Sequence, residues 1–290
     1  MRTAVIISLI LVTFALPTLG QQTYKAEITE WRAAHQKEQI TEDGWFSLAG
    51  LFWLKEGLNS VGRGEKYDVS LTPNFKGDKF GEIDLNRDKA TLRVENGVVA
   101  TSDGQPVTTL DLVSDADGKA TKVTVGSQTF YVIMREGHYG IRLKDKDNPE
   151  RVHFTGLKWY PIDPAMKVTA TIDAYPAPKD ILVPNQLGST YKYQSPGILN
   201  FKIKGKAVSL TPVIEDDHLF IIFRDMTSRS TTYGAGRFLY AEMPKDGKVV
   251  LDFNKAENPP CAYTHFATCP MPPQQNRLTI SINAGEKKYH

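Results

Sequence analysis

The sequence predicts a mainly β fold, an antiparallel barrel or sandwich preceded by an N-terminal helix. Three observations carry that prediction. After Asp43-Gly44 the chain breaks into short β-branched and aromatic runs separated by Gly, Asn, Asp and Pro. Two-residue turn signals recur between those runs. Strands do not alternate with helix-length apolar patterns, as βαβ units require.

Taken in chain order, the first element is an export signal over residues 1–20. Arg2 gives a positive start, Ala4 to Leu16 are apolar, and Thr18-Leu19-Gly20 supply small residues before the polar Gln21-Gln22. The apolar stretch is too short to span a bilayer, and no later stretch approaches the roughly 20 apolar residues of a transmembrane helix. The expected location is therefore periplasmic or extracellular, and no cysteine follows the cleavage region to carry a lipid.

Tyr24 to Gln39 places Ile28, Trp31, Ala34 and His35 at helical spacings, which predicts an arm packed on the β domain. Thr129–Met134, Tyr139–Leu143, Val168–Ile172, Phe220–Phe223 and Phe238–Tyr240 read as strands, the second and third with half-buried alternation. Asn96-Gly97, Asp117-Gly118 and Asp246-Gly247 are hairpin signals, and Gly205-Lys206 fits a turn with glycine first. Pro176, Pro178 and Pro184 resist regular pairing and mark a boundary or a crossover between sheets. Without a low-complexity linker or a fixed-period repeat, residues 21–290 are expected to form a single β-rich domain.

Lysine plus arginine (35) nearly balances aspartate plus glutamate (33), and the basic residues are scattered. This predicts an ordinary solvated surface and no nucleic-acid partner. Arg135 and Arg142 bracket a tight turn, and surface pairing with Glu136 or Asp145 accounts for them. His138, beside Gly137, is expected to be exposed.

The C-terminal stretch is the densest in chemical types: Leu251-Asp252-Phe253-Asn254, Asn258-Pro259-Pro260-Cys261, Cys269-Pro270, Pro272-Pro273, Asn276 and Ala284-Gly285-Glu286. Together with Asp43-Gly44-Trp45, Gly50-Leu51-Phe52-Trp53-Leu54, and Thr232-Tyr233 with Gly236-Arg237, it resembles the bacterial family known as domain of unknown function 1684, from about Trp31 to Glu286. The resemblance implies no activity. Its pattern favours glycine where Arg229 stands and has no histidine at His265.

Cys261 and Cys269 are the protein's two cysteines. In an oxidising compartment a disulfide is the expected reading, contributing roughly 2–3 kcal/mol if unstrained. Free thiols are one alternative. Another is a zinc site from Cys261, His265 and Cys269 on one helical face, against which the flanking prolines argue. No metal or cofactor is expected.

Asp225, at the end of a buried strand, and Tyr233 and Arg237, beyond a polar turn, can meet at the end of a sandwich. There Arg237 would clamp a carboxylate or phosphate and Gly234 and Gly236 would admit a ligand. The competing reading has Asp225 capping its own turn and pairing with Arg237. Asp252 and Asn254, two apart in a strand, would share one pocket wall, with Trp45, Trp53 or Trp159 as an apolar platform. Asn258 and Asn276 also fit loop-fixing amides. Asp225, Asp252 and Glu286 supply the types for a carboxylate acid–base pair. No G-x-S-x-G elbow supports a serine hydrolase.

The expected function is binding of a small polar or anionic molecule by Asp225, Tyr233, Arg237, Asp252 and Asn254. A glycan or ester hydrolase, with Asp225, Asp252 or Glu286 catalytic, is the first alternative. An envelope structural protein is the second.

Overall fold

Residues 19–290 are described by the computed structural model. Apart from Leu19 and Gly20, the expected signal peptide lies outside the described residues. Helix α1 (Leu19–Gln39) covers the predicted arm and begins five residues earlier. Among the described residues no helix is long and apolar enough to cross a membrane.

The mainly β expectation holds, as sandwich-like pairs of sheets without a closed barrel. The first eleven strands are β1 (Leu48–Trp53), β2 (Gly57–Arg63), β3 (Val69–Leu71), β4 (Lys79–Asn86), β5 (Lys89–Val94), β6 (Thr101–Ser102), β7 (Gln105–Pro106), β8 (Thr109–Leu112), β9 (Val123–Val125), β10 (Gln128–Arg135) and β11 (His138–Asp145). They form sheets ordered β1-β11-β10-β9-β6-β7 and β3-β2-β4-β5-β8, in which only β2 and β3 run parallel. Alternation puts Phe130, Val132, Ile141 and Leu143 of one sheet against Val61, Phe80, Ile83 and Leu92 of the other. Arg142 therefore points to the opposite face from Ile141 and Leu143.

After a one-turn helix α2 (Pro149–Val152), the remaining strands are β12 (Lys167–Pro184), β13 (Thr190–Ile203), β14 (Lys206–Leu210), β15 (Val213–Glu215), β16 (His218–Phe223), β17 (Arg237–Glu242) and β18 (Lys248–Asp252). Their sheets are β14-β13-β12-β18 and β15-β16-β17. One face of β16 and β17, with Leu219, Ile221, Phe223 and Leu239, meets Leu199, Phe201 and Leu251. The other face, with Phe220, Ile222 and Phe238, packs under Val183, Ala267 and Cys269. Coverage on both sides explains the unbroken apolar run Phe220–Phe223. The strands thus enclose two separate main cores.

Local details correct the sequence reading. The proline-rich stretch is neither a boundary nor a crossover between sheets. It lies within β12, where the register with β13 slips between Ala174 and Lys179 and lets the long ribbon bend. The β13–β14 hairpin turns on Lys204-Gly205, one residue earlier than predicted, with φ of 48° and 77°; two positive φ values are the signature of a type I′ turn. Asn96-Gly97 and Asp117-Gly118 connect strands of different sheets instead of closing hairpins.

Candidate functional site

Beyond β18 the chain gives up regular pairing, and its backbone groups need other partners. Asp252 is the last strand residue and a 3-10 turn, Phe253–Lys255, follows, so Asp252 and Asn254 do not alternate along a strand. They nevertheless meet: Asn254 donates to Asp252 Oδ1 from its backbone N–H and from Nδ2, both at 3.1 Å. Asp252 also accepts from the Tyr24 hydroxyl at 2.8 Å, and Asn254 Nδ2 donates to the Asp163 carbonyl at 2.8 Å. Arg32 of α1 donates to the Asn254 carbonyl. This cluster fastens the helical arm to the second sandwich.

Arg237 is 1 % exposed. Its Nη2 donates to Asp225 Oδ2 at 2.6 Å and to the Ile282 carbonyl at 3.0 Å, and Nη1 donates to the Ala284 carbonyl. Asp225 Oδ1 caps its own turn by accepting from the Thr227 N–H. The two residues meet as predicted, but they saturate each other and the returning C-terminal backbone. They are not a ligand clamp. Gly236 does not face a ligand either: with φ at 116°, a Cβ there would lie 2.6 Å from both the Phe223 carbonyl oxygen and Pro272 Cγ.

The other motif residues behave alike. The Tyr233 hydroxyl donates to the Cys261 carbonyl at 3.0 Å. Asn276 accepts from the Thr211 N–H and donates to the carbonyls of Thr211 and Ile222, all within 2.9 Å. Glu286 is wholly buried and accepts from the Asn258 N–H, Asn258 Nδ2 and the Tyr263 hydroxyl. Arg229 has φ of 76°, the left-handed region that glycine adopts without steric cost. Asp225, Tyr233, Arg237, Asp252 and Asn254, the expected binding set, here hold irregular backbone together.

Cys261 and Cys269 are free thiols in this structure instead of the expected disulfide. They adjoin: the Cys261 N–H donates to Cys269 Sγ at 3.2 Å. The hydrogen bond between the thiols lowers the Cys261 pKa and raises that of Cys269. Only Pro260–Ala262 is helical nearby, so no helical face carries Cys261, His265 and Cys269. Among the described residues no group of three His, Cys, Asp or Glu could hold a metal ion.

The open space lies elsewhere, where the two sandwiches and the end of α1 meet. A cavity of about 590 Å³ is walled by Arg135 and Arg142 from the first sandwich, Tyr193, Glu215, Phe238 and Tyr240 from the second, and Gln39 and Trp45 from the connecting segment. Cys269 and Glu257 also reach it. Arg135 is neutralised by a two-pronged pair with Asp115 at 2.8 and 2.9 Å. Arg142 is not. It is 6 % exposed, its Nε is buried without a partner, and among the described residues no hydrogen bond or ion pair engages its guanidinium. Its neighbour is the Trp45 ring at 5.6 Å. The expected surface pairing with Glu136 or Asp145 fails because Glu136 binds Asn185 and Ser189, while Asp145 accepts from Thr72 and Asn74.

Glu257 and Tyr240, with Gln39 and Trp45, are shared with a second space of about 700 Å³ that runs along α1 past Trp31 and His35. Glu257 Oε2 is 3.2 Å from His35 Nδ1, and His35 Nε2 is 3.9 Å from Glu286 Oε2. His35 is stacked on Trp31 with its ring edge to Trp159. Burial pushes Glu257 up to about 8 and Glu286 to about 7, and it lowers His35 to about 4. Burial thus favours an uncharged Glu257–His35 pair. Sequence reading used His35 only as a helix-face residue and missed Glu257, because nothing in the local sequence says that residue 35 meets residue 257.

Comparison with known proteins agrees with the C-terminal motif. Residues 152–287 match the family described as "Protein of unknown function (DUF1684)". The match covers the second sandwich and its C-terminal wrap; Asp43-Gly44-Trp45 and Gly50–Leu54 fall outside it. The chain is similar to an uncharacterized protein of Haloarcula marismortui with a solution NMR structure, at 32% identity over 48% of this chain and 80% of that one, with a TM-score of 0.41. It is also similar to the FhaA FHA domain crystallised with the intracellular domain of Rv3910, at 22% identity over 32% of this chain and 97% of that one, with a TM-score of 0.23. Neither superposition carries a functional argument. No curated protein matches the chain.

Proposed function

We propose that this is an exported protein that binds a small anionic molecule in the cavity between its two sandwiches. The observation that supports this most is Arg142. A buried cation without a counter-charge costs several kcal/mol, and an incoming carboxylate or phosphate would supply the missing partner at the cavity wall. Trp45, Tyr193, Phe238 and Tyr240 give the ligand an apolar body to lie against, the usual composition of a small-molecule site. In an oxidising compartment the adjoining thiols of Cys261 and Cys269 would close as a disulfide beside this wall.

The test is calorimetric titration of the mature protein with benzoate, glucuronate and inorganic phosphate, beside Arg142→Gln. Saturable binding of at least one anion, weakened tenfold or more in the folded variant, is expected. Equal binding by wild type and variant would refute the assignment.

A further inference from the structure

Glu257 stands apart from the other buried carboxyls because it is shared between the cavity and the interior. Glu286 has its oxygens occupied by Asn258 and Tyr263, and Asp225 is held by Arg237 and Thr227. Glu257 makes no ion pair with lysine or arginine among the described residues and has His35 Nδ1 at 3.2 Å. Its side chain keeps 19 % exposure and reaches both open spaces. A carboxyl–imidazole–carboxyl row therefore runs inward from the cavity, with Glu286 fixed at its closed end.

We infer that Glu257 is a proton-transferring catalytic residue, that His35 positions it, and that the cavity hydrolyses an ester or glycosidic C–O bond in a carboxylate-bearing molecule held by Arg142. The inference rests on the anion-binding reading above. In the reaction the Glu257 carboxyl gives its proton to the departing oxygen as the C–O bond breaks. Water, the co-reactant, adds its oxygen to the carbon and returns a proton to the Glu257 carboxylate. One water is consumed, an alcohol and an acid or a hemiacetal are released, and Glu257 ends as it began. His35 stays neutral and donates its Nδ1–H to Glu257 Oε2, which leaves the acid proton on Oε1 for the departing oxygen, while stacking on Trp31 fixes the ring plane.

The groups facing Glu257 favour its protonated form at neutral pH. His35 and Glu38 approach from α1, Tyr240 from β17, and Tyr263 and Glu286 from the C-terminal segment. Burial and the neighbouring carboxylates push it up to about 8, close to the working range of a general acid.

The experiment uses four chromogenic substrates with the full mature chain: 4-nitrophenyl glucuronide and glucoside, and 4-nitrophenyl hemisuccinate and butyrate. Faster hydrolysis of the charged member of one pair, by about tenfold or more, is expected, and the pair that responds distinguishes glycoside from ester. Glu257→Gln should lower that rate about 100-fold or more, the contribution typical of a general acid, while still binding benzoate or phosphate. His35→Leu, which removes the donor to Glu257 Oε2, should move the alkaline limb of the pH–rate profile to higher pH, which a purely structural role would not do. A protein that binds an anion through Arg142 yet hydrolyses none of the four, or a Glu257→Gln variant within threefold of wild type, overturns the catalytic inference and leaves binding standing. Absence of anion binding overturns both.

Discussion

The two sandwiches bury polar groups for different reasons. In the C-terminal one, Asn185, Asp225, Arg237, Asp252, Asn254, Asn258, Asn276 and Glu286 are all buried. There the chain beyond Asp252 runs through turns and short 3-10 segments, and side chains must satisfy the backbone that a sheet would have paired. The N-terminal sandwich uses fewer such braces, Asn59 and Gln128 among them, yet it also buries the Arg142 Nε without a partner. A dense polar motif whose buried atoms are matched, Asn258 Oδ1 apart, marks scaffolding. A cation left unmatched at a cavity wall marks a place for something else.

The sharpest way to break this comparison is to remove a matched charge. Arg237→Ala leaves Asp225 buried and unpaired, and should cost about 3–5 kcal/mol, read as a lower urea midpoint or failure to fold. If the variant is as stable as wild type, the scaffold account of the motif is wrong. Asn276→Ala strands the Thr211 N–H and two carbonyls, with an expected cost of about 1–3 kcal/mol in the same assay; a loss within experimental error would contradict its bracing role.

A third test uses pH. Glu257 and Glu286 are raised from the usual 4.5 to about 8 and about 7. Their contribution to stability is full below pH 4.5 and is lost as pH rises through 7 and 8. His35, lowered from 6.5 to about 4, acts oppositely, losing stability as pH falls from 6.5. Two carboxyls outweigh one imidazole, so stability should decline between pH 5 and 9 by on the order of a few kcal/mol. Glu257→Gln should flatten that decline. An unchanged profile in the variant would place the Glu257 titration near its ordinary value.

The smallest effect sharpens the comparison from the other side. Arg142→Met removes a buried cation that nothing holds, so stability should stay within about 1 kcal/mol of wild type or rise. A loss comparable to that of Arg237→Ala would mean that Arg142 is scaffold too.

Much of the fold was legible in the sequence because strand periodicity and turn chemistry are local. The Phe220–Phe223 run, the Tyr139–Leu143 strand and the N-terminal helix all appear where residue spacing predicted them, although Gly140–Leu143 are all buried instead of alternating. The β12 bend was harder, since prolines that interrupt pairing for four residues look the same as prolines that end a domain. The site was legible in part. Asp225 and Arg237 do meet, but spacing could not say whether a ligand or the Ile282 and Ala284 carbonyls would occupy the guanidinium. Arg142 looked like a surface arginine because its emptiness depends on Asp145 being engaged by Thr72 and Asn74, residues some 70 positions away. The Glu257–His35 contact is equally non-local, joining the first helix to the last irregular segment.

The most direct measurement is a crystal structure of the mature protein with 4-iodobenzoate and, separately, selenate, located by anomalous scattering. The account predicts an anomalous peak in the cavity with an anion oxygen within hydrogen-bond distance of the Arg142 guanidinium, and an unaltered Arg237–Asp225 pair. Anion bound at Arg237 in place of Asp225, or an unoccupied Arg142 at saturating concentrations of both probes, would contradict it.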